Sequence, residues 1–183
     1  MVGFELPGGV QLRLLTELDV EELHAVVSAN REHLARWLPW AARQTLADTR
    51  AFVRLTRRQF SENNGFQLAI VPGGRIAGVV GFHAISWPNR STTIGYWLAA
   101  DAQGRGTMTA AVRTLAEHAF TAWALNRVEI RAAVDNARSR AVAERLGFRE
   151  EGTLREAERV GDRYLDHVVY GMLASEWRRL SGG

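Results

Sequence analysis

Two pieces of the chain decide the reading: Ile94-Gly95-Tyr96-Trp97-Leu98 and, shortly after it, Gln103-Gly104-Arg105-Gly106-Thr107-Met108-Thr109. The first belongs to a strand predicted over Thr92–Leu98. The second opens onto the longest regular helical pattern in the sequence, in which Met108, Ala111, Val112, Leu115, Ala116, Ala119 and Phe120 recur at helical spacing and form one apolar stripe. A strand, a glycine-rich turn and a long helix can bind phosphate for a physical reason. The first helical N–H groups have no intrahelical partner, and the helix dipole places partial positive charge on them. Gly104 and Gly106, lacking Cβ atoms, let the backbone come close to a ligand. Taken alone, the two glycines would equally serve a simple bend in the chain.

Upstream, Val10, Leu12 and Leu14 alternate with Gln11 and Arg13, the period of a half-buried strand. Thr16 stands as an N-cap with Asp19 three residues on, and Leu18, Leu23, Val26 and Val27 give a stripe through a helix ending near Asn30. Trp37-Leu38-Pro39-Trp40 breaks the helical run, because proline disfavours helix in the residue before it. A second helix is predicted over Leu46–Asn63 with Phe52, Leu55 and Phe60 on one side. Phe66–Val71 and Ile76–Ser86 flank Pro72-Gly73-Gly74-Arg75 and read as a hairpin, with a further turn at Trp87-Pro88-Asn89-Arg90. Downstream come a strand at Arg127–Val134, a short helix at Ala137–Leu146 stopped by Gly147, and strands near Arg149–Glu158 and Tyr164–Leu173. There is no repeat or linker, so the reading is one α+β domain.

Composition excludes several chemistries. With 183 residues and 46% hydrophobic content the chain can bury one sizeable core. No apolar run approaches the ~18 residues of a membrane span, and Met1–Pro7 lacks the apolar stretch of a signal peptide, so a cytoplasmic, membrane-free protein is expected. There is no cysteine for a disulfide, thiolate nucleophile or zinc-thiolate site, and His24, His33, His83, His118 and His167 form no metal-binding pair, so no metal is expected. All 23 basic residues are arginine, which explains a pI near 10.1 at a net charge of only +3. They run from Arg13 to Arg179 among interleaved acids, a distribution unlike a nucleic-acid face, so no nucleic-acid partner is expected. A P-loop is impossible without lysine. A dinucleotide fold would want a third glycine where Thr109 stands and a βαβ context in place of an antiparallel meander.

Gln103-Gly104-Arg105-Gly106 resembles the acetyl-CoA pyrophosphate loop of the GNAT superfamily, whose pattern is Gln or Arg, two residues, Gly, one residue, then Gly or Ala. Met108 departs at the last position, as the ribosomal-protein N-terminal acetyltransferase (RimL-type) branch does. Asn136-Ala137-Arg138-Ser139 followed by Leu146-Gly147-Phe148 resembles the family's Asn-x-x-Ser helix and its Gly-Phe exit. Trp37-Leu38-Pro39-Trp40 and Leu154–Glu158 are also similar to that branch, so the resemblance covers nearly the whole chain in the expected order.

The resemblance implies a GNAT fold, a twisted and mostly antiparallel sheet with splayed central strands and helices on both faces. It implies acetyl-CoA as acyl donor, an amine acceptor and a homodimer. The amides from Gly104 to Thr109, including Arg105, Thr107 and Met108, would hold the pyrophosphate. The backbone of Trp97 and Leu98 would pair with the pantetheine arm, with Asn136 on its other side. Arg105, Arg138 and Arg145 would meet phosphate groups, each equally readable as a solvated surface charge. Glu158 would be the general base and Ser139 the donor to the leaving thiolate, because the tyrosine that many GNAT enzymes use is replaced by Ala143. Against those roles stand a helix-terminus hydrogen bond for Ser139 and an ion pair with Arg155 or Arg159 for Glu158. His83 is the reserve base, and Trp37, Trp40 and Phe52 would line the acceptor side. A protein N-terminal amine is the favoured acceptor, with a small amine or a non-catalytic acyl-CoA-binding module as alternatives.

Overall fold

The structure is a computed structural model that describes residues 2–181. In chain order it runs β1 (Gly3–Leu6), β2 (Val10–Leu14), α1 (Val20–Ala29), α2 (Arg31–Leu34), α3 (Leu46–Ser61), β3 (Gln67–Val71), β4 (Gly78–Ser86) and β5 (Ser91–Leu98). It continues with α4 (Thr107–Thr121), β6 (Arg127–Ala133), α5 (Ala137–Arg145), β7 (Arg149–Val160), β8 (Arg163–Leu173) and α6 (Ala174–Ser181). The strands form one sheet in the order β1-β2-β3-β4-β5-β6-β8-β7. Every neighbouring pair is antiparallel except β5 and β6.

Strand alternation sorts the side chains onto two faces. Leu12, Leu68, Val80, Phe82, Ile94, Val128, Ile130 and Tyr170 pack with Ala111, Val112, Leu115 and Ala119 of α4, Val142 of α5 and Trp177 of α6 in the main core. The opposite face of the β3–β4 region, Ala69, Val71 and Val79, meets Val20 and Leu23 of α1 and Val53 of α3. The expected Thr16–Asp19 start of the first helix is present: the Thr16 amide and hydroxyl both donate to Asp19 Oδ2, at 2.7 and 2.9 Å. Burial opposes charge on Asp19, but a bidentate bond from Arg13 at 2.6 and 2.8 Å, with those from Thr16, outweighs it and holds the carboxyl below its ordinary pKa.

The buried faces of α1 and α3 differ from the expected stripes. Leu55 and Phe60 are exposed, and α3 meets the sheet through Thr49, Val53 and Thr56, whose spacing puts them on one narrow face. Leu18 is 92% exposed because a turn of 3₁₀ helix over Glu17–Asp19, with a different side-chain period, precedes α1. Strand β1 and helices α2 and α6 were not anticipated.

The β4–β5 contact fixes the strand on which the site is built. A Cβ on Gly78 would lie 2.3 Å from the Trp97 carbonyl oxygen and 3.0 Å from Leu98 Cα, both backbone atoms that cannot swing aside. Gly78→Ala should therefore destabilise the fold by about 1–3 kcal/mol, as overpacking does. Urea denaturation would check it, and an unchanged midpoint would contradict this close approach.

Candidate active site

Strands β5 and β6 share a parallel register only from Ser91↔Arg127 to Ile94↔Ile130. Beyond it β5 continues to Leu98 bonded to β4, and β6 continues to Ala133 bonded to β8, so the two part and a wedge opens. Successive N–H groups of a strand point to opposite sides. The Ala99 N–H donates to Ala77 O at 2.7 Å, toward β4, so the Leu98 N–H faces the wedge. The same alternation turns the main chain of Trp97 toward β4. Trp97, expected to offer its backbone to a ligand arm, instead presents its indole on the opposite face, where its ring centroid lies 6.2 Å from that of Trp40.

At the mouth of the wedge, Gly104 and Gly106 have φ of 78° and 76°, and Gly106 is the N-cap of α4. A Cβ at either would meet nothing within 4 Å, so left-handed backbone and open space, not packing, explain the glycines. Thr107 and Thr109 are half-buried and Arg105 is exposed, while Met108 buries its side chain in the core. Gln103 ties three elements together. Its Oε1 accepts from Arg138 of α5 at 2.5 Å, and its Nε2 lies 2.8 Å from His33 Nε2 of α2 and donates to Leu98 O at 3.3 Å. With the amide oxygen facing Arg138, the nitrogen must donate to a neutral His33. Desolvation, reinforced by Arg36 and Arg138, lowers the pKa of that ring.

The far wall of the wedge is the first turn of α5. Asn136 Oδ1 caps it by accepting from the Ser139 amide at 3.2 Å. Tyr96 reaches across from β5: its hydroxyl donates to Ser139 O at 3.0 Å and accepts from Ser139 Oγ at 3.3 Å. Arg138 and Arg145, seven residues apart and exposed, lie on one side of α5.

The opposite face of the sheet carries the remaining candidates. Glu158 lies beyond an irregularity in which the register passes from Leu154↔His167 to Glu158↔Leu165, so β7 carries two more residues than β8. An even insertion keeps Glu158 on the face of His167 and Ala133. Glu156, at φ 49°, accommodates the bulge, and its amide donates to Asp166 Oδ1 at 2.7 Å. The Glu158 carboxylate, 36% exposed, approaches His167 Nε2 at 3.4 Å, whereas Arg159 engages Gly161 O and Asp162. Trp37 packs against Ala133, Val160 and Leu165 of the same face. His83 lies over Gly95, where a Cβ would sit 2.3 Å from its Nε2. Its ring is exposed at the edge of this face, yet desolvation by its close neighbours, and then Arg131, lower its pKa. His33, Tyr96 and His167 carry no local motif in the sequence, because each meets a partner more than eight positions away.

A model of the acetyltransferase (GNAT) domain matches residues 10–149. The chain belongs to the GNAT acetyltransferase family. Such enzymes take the acyl group from acetyl-CoA, and this chain is an acetyl-CoA-dependent acetyltransferase. It is 39% identical over 170 residues, 92% of this chain and 93% of the other, to a Bacillus subtilis (strain 168) protein named "Putative ribosomal N-acetyltransferase YdaF". Among solved structures, a RimL ribosomal L7/L12 alpha-N-protein acetyltransferase in complex with coenzyme A has a TM-score of 0.86 and 30% identity, over 91% of this chain and 95% of that one. The microcin C7 self-immunity acetyltransferase MccE, in complex with acetyl-CoA and AMP, has a TM-score of 0.84 and 30% identity, over 90% of this chain and 92% of that one. The GNAT fold is thus both observed and shared. Among the described residues no group of acids and histidines could hold a metal ion, and no helix is long and apolar enough to cross a membrane.

The glycine loop suits a diphosphate: left-handed backbone, open space above it and the unpartnered first amides of α4. Gly106→Ala would force a side chain into the left-handed region, at about 1–2 kcal/mol. Calorimetric titration with CoA should show affinity lower by about tenfold. An unchanged Kd would mean that this loop does not touch the donor.

Proposed function

We propose that the enzyme acetylates the N-terminal amine of a protein by direct transfer in a ternary complex. The observation that carries the reading is the two-sided wedge. Ser139 lies on its α4–α5 side, and Glu158 lies on the sheet face that Trp37, Trp40 and Trp97 border. Amide chemistry needs such a division, because the amine must lose protons on one side of the thioester carbon while the thiolate departs on the other.

In this reading the amides of Gly104 to Thr109 hold the diphosphate, and Arg105, Arg138 and Arg145 meet the phosphates. Asn136 borders the pantetheine arm, which runs through the wedge past Leu98. Glu158 takes one proton from the ammonium, and the nitrogen lone pair then forms the N–C bond. The Leu98 N–H donates to the thioester oxygen as it gains charge. When the C–S bond breaks, its electron pair stays on sulfur. Ser139 Oγ donates a hydrogen bond to that thiolate, and the second nitrogen proton is released to neutralise it. His167 Nε2 lies 3.4 Å from the Glu158 carboxylate on the same face. Trp37 and Trp40 frame the acceptor, with His83 at the far edge.

The acceptor is inferred from the relatives named for ribosomal substrates. A small-molecule amine is the second reading, favoured by the likeness to the acetyltransferase MccE in complex with acetyl-CoA and AMP. We further propose that the enzyme is cytoplasmic and dimeric, which light scattering would register as twice 20.4 kDa.

Glu158→Gln should leave acetyl-CoA binding intact and lower turnover by about 10²-fold or more; turnover at the wild-type rate would remove Glu158 as base. Ser139→Ala should lower kcat with the acetyl-CoA KM little changed, and a fully active variant would remove Ser139 as donor to the thiolate. A CoA-release screen with free N-terminal peptides against small amines should show peptides turned over faster. Turnover confined to small amines would select the second reading.

A further inference from the structure

The wedge has a strut that neither the donor loop nor the base accounts for. Backbone bonding between β5 and β6 ends at Ile94↔Ile130. Two residues later the Tyr96 ring packs against the main core and crosses to α5, 43 positions ahead in sequence. A phenol oxygen has one proton to give. Tyr96 gives it to the Ser139 carbonyl at 3.0 Å, so toward the Ser139 hydroxyl it can only accept, and Ser139 Oγ donates to it at 3.3 Å. Ser139 is thereby held at its amide by Asn136 and at its carbonyl and hydroxyl by Tyr96.

We propose that Tyr96 is a positioning residue for acyl transfer: its phenol braces α5 against β5 across the parted strands and holds the Ser139 hydroxyl poised to turn from Tyr96 to the departing sulfur. This rests on Ser139 being the donor to the thiolate. Tyr96 anchors α5 through the shorter bond, at 3.0 Å, and accepts from the hydroxyl through the longer one, at 3.3 Å. The 3.3 Å bond is longer than the usual ~2.5–3.0 Å of an O–H···O contact, so a thiolate, a far better acceptor, displaces it. No covalent bond to Tyr96 forms or breaks. Burial away from water pushes its pKa up to about 12, so the phenol keeps the proton that the brace requires through the neutral range.

Tyr96→Phe keeps the ring in the core and removes only the oxygen. The test is a double-mutant cycle of Tyr96→Phe and Ser139→Ala, with kcat and the acetyl-CoA KM measured for all four proteins and melting curves to confirm folding. Tyr96→Phe should lower kcat by about tenfold and change KM by less than about twofold. In the Ser139→Ala background it should lower kcat no further, because the bond to the residue-139 carbonyl then has no hydroxyl left to hold in place. A merely structural role would lower kcat equally in both backgrounds, and that additivity would overturn the proposal. So would a fully active Tyr96→Phe beside an impaired Ser139→Ala, which leaves the Ser139 reading intact. A fully active Ser139→Ala would instead remove that reading, and the proposal with it.

Discussion

Two parallel strands that bond over Ser91–Ile94 and Arg127–Ile130 and then separate leave a row of main-chain donors and acceptors facing a gap. Unpaired backbone groups at the centre of a sheet are costly unless water or a ligand satisfies them. The rest of the molecule is arranged around that cost. The sheet is otherwise continuous from β1 to β7, the close β4–β5 approach at Gly78 holds one lip of the gap, and β8 holds the other. Right-handed twist spreads strands that are no longer bonded, and the gap therefore widens toward Leu98 and Ala133.

The gap joins two different environments. On one side the first turns of α4 and α5 converge, with glycines, helix amides and arginines suited to phosphate. On the other lies a face with indoles at its border and a carboxylate beside a histidine. Gln103 connects the two, since it bonds Arg138 on the donor side, His33 on α2 and the carbonyl of Leu98. A donor arm in the gap would therefore meet a site whose two halves are already held in register, which is the preorganisation that acyl transfer rewards.

Much of this was legible in the sequence, and the rest was illegible for identifiable reasons. The Pro72–Arg75 hairpin and the α4 stripe announce themselves because their determinants are local: turn residues in one case, helical period in the other. Strand β1 is four residues long and opens with glycine, so its pairing with β2 outweighs a weak local preference. The buried face of α3 was misread because Leu55 and Phe60 are larger than Thr49 and Thr56, whereas the smaller side chains let that helix approach the sheet. At the site, the glycine loop and the Asn136–Ser139 turn could be read as motifs. The Tyr96–Ser139, His33–Gln103 and Glu158–His167 contacts could not, because each depends on how strands or helices distant in sequence come to face one another. The Glu158–His167 contact also required the bulge between Leu154 and Glu158, which alternation alone would not reveal.

The central claim is that the gap between β5 and β6 receives the acyl donor. Residue-resolved amide hydrogen exchange with and without CoA tests it most directly. The account predicts new protection at the Leu98 amide and at the amides of Gly104 to Thr109, with little change along the β1–β3 edge. Protection that appears elsewhere while Leu98 and the glycine loop exchange as in the free protein would contradict it.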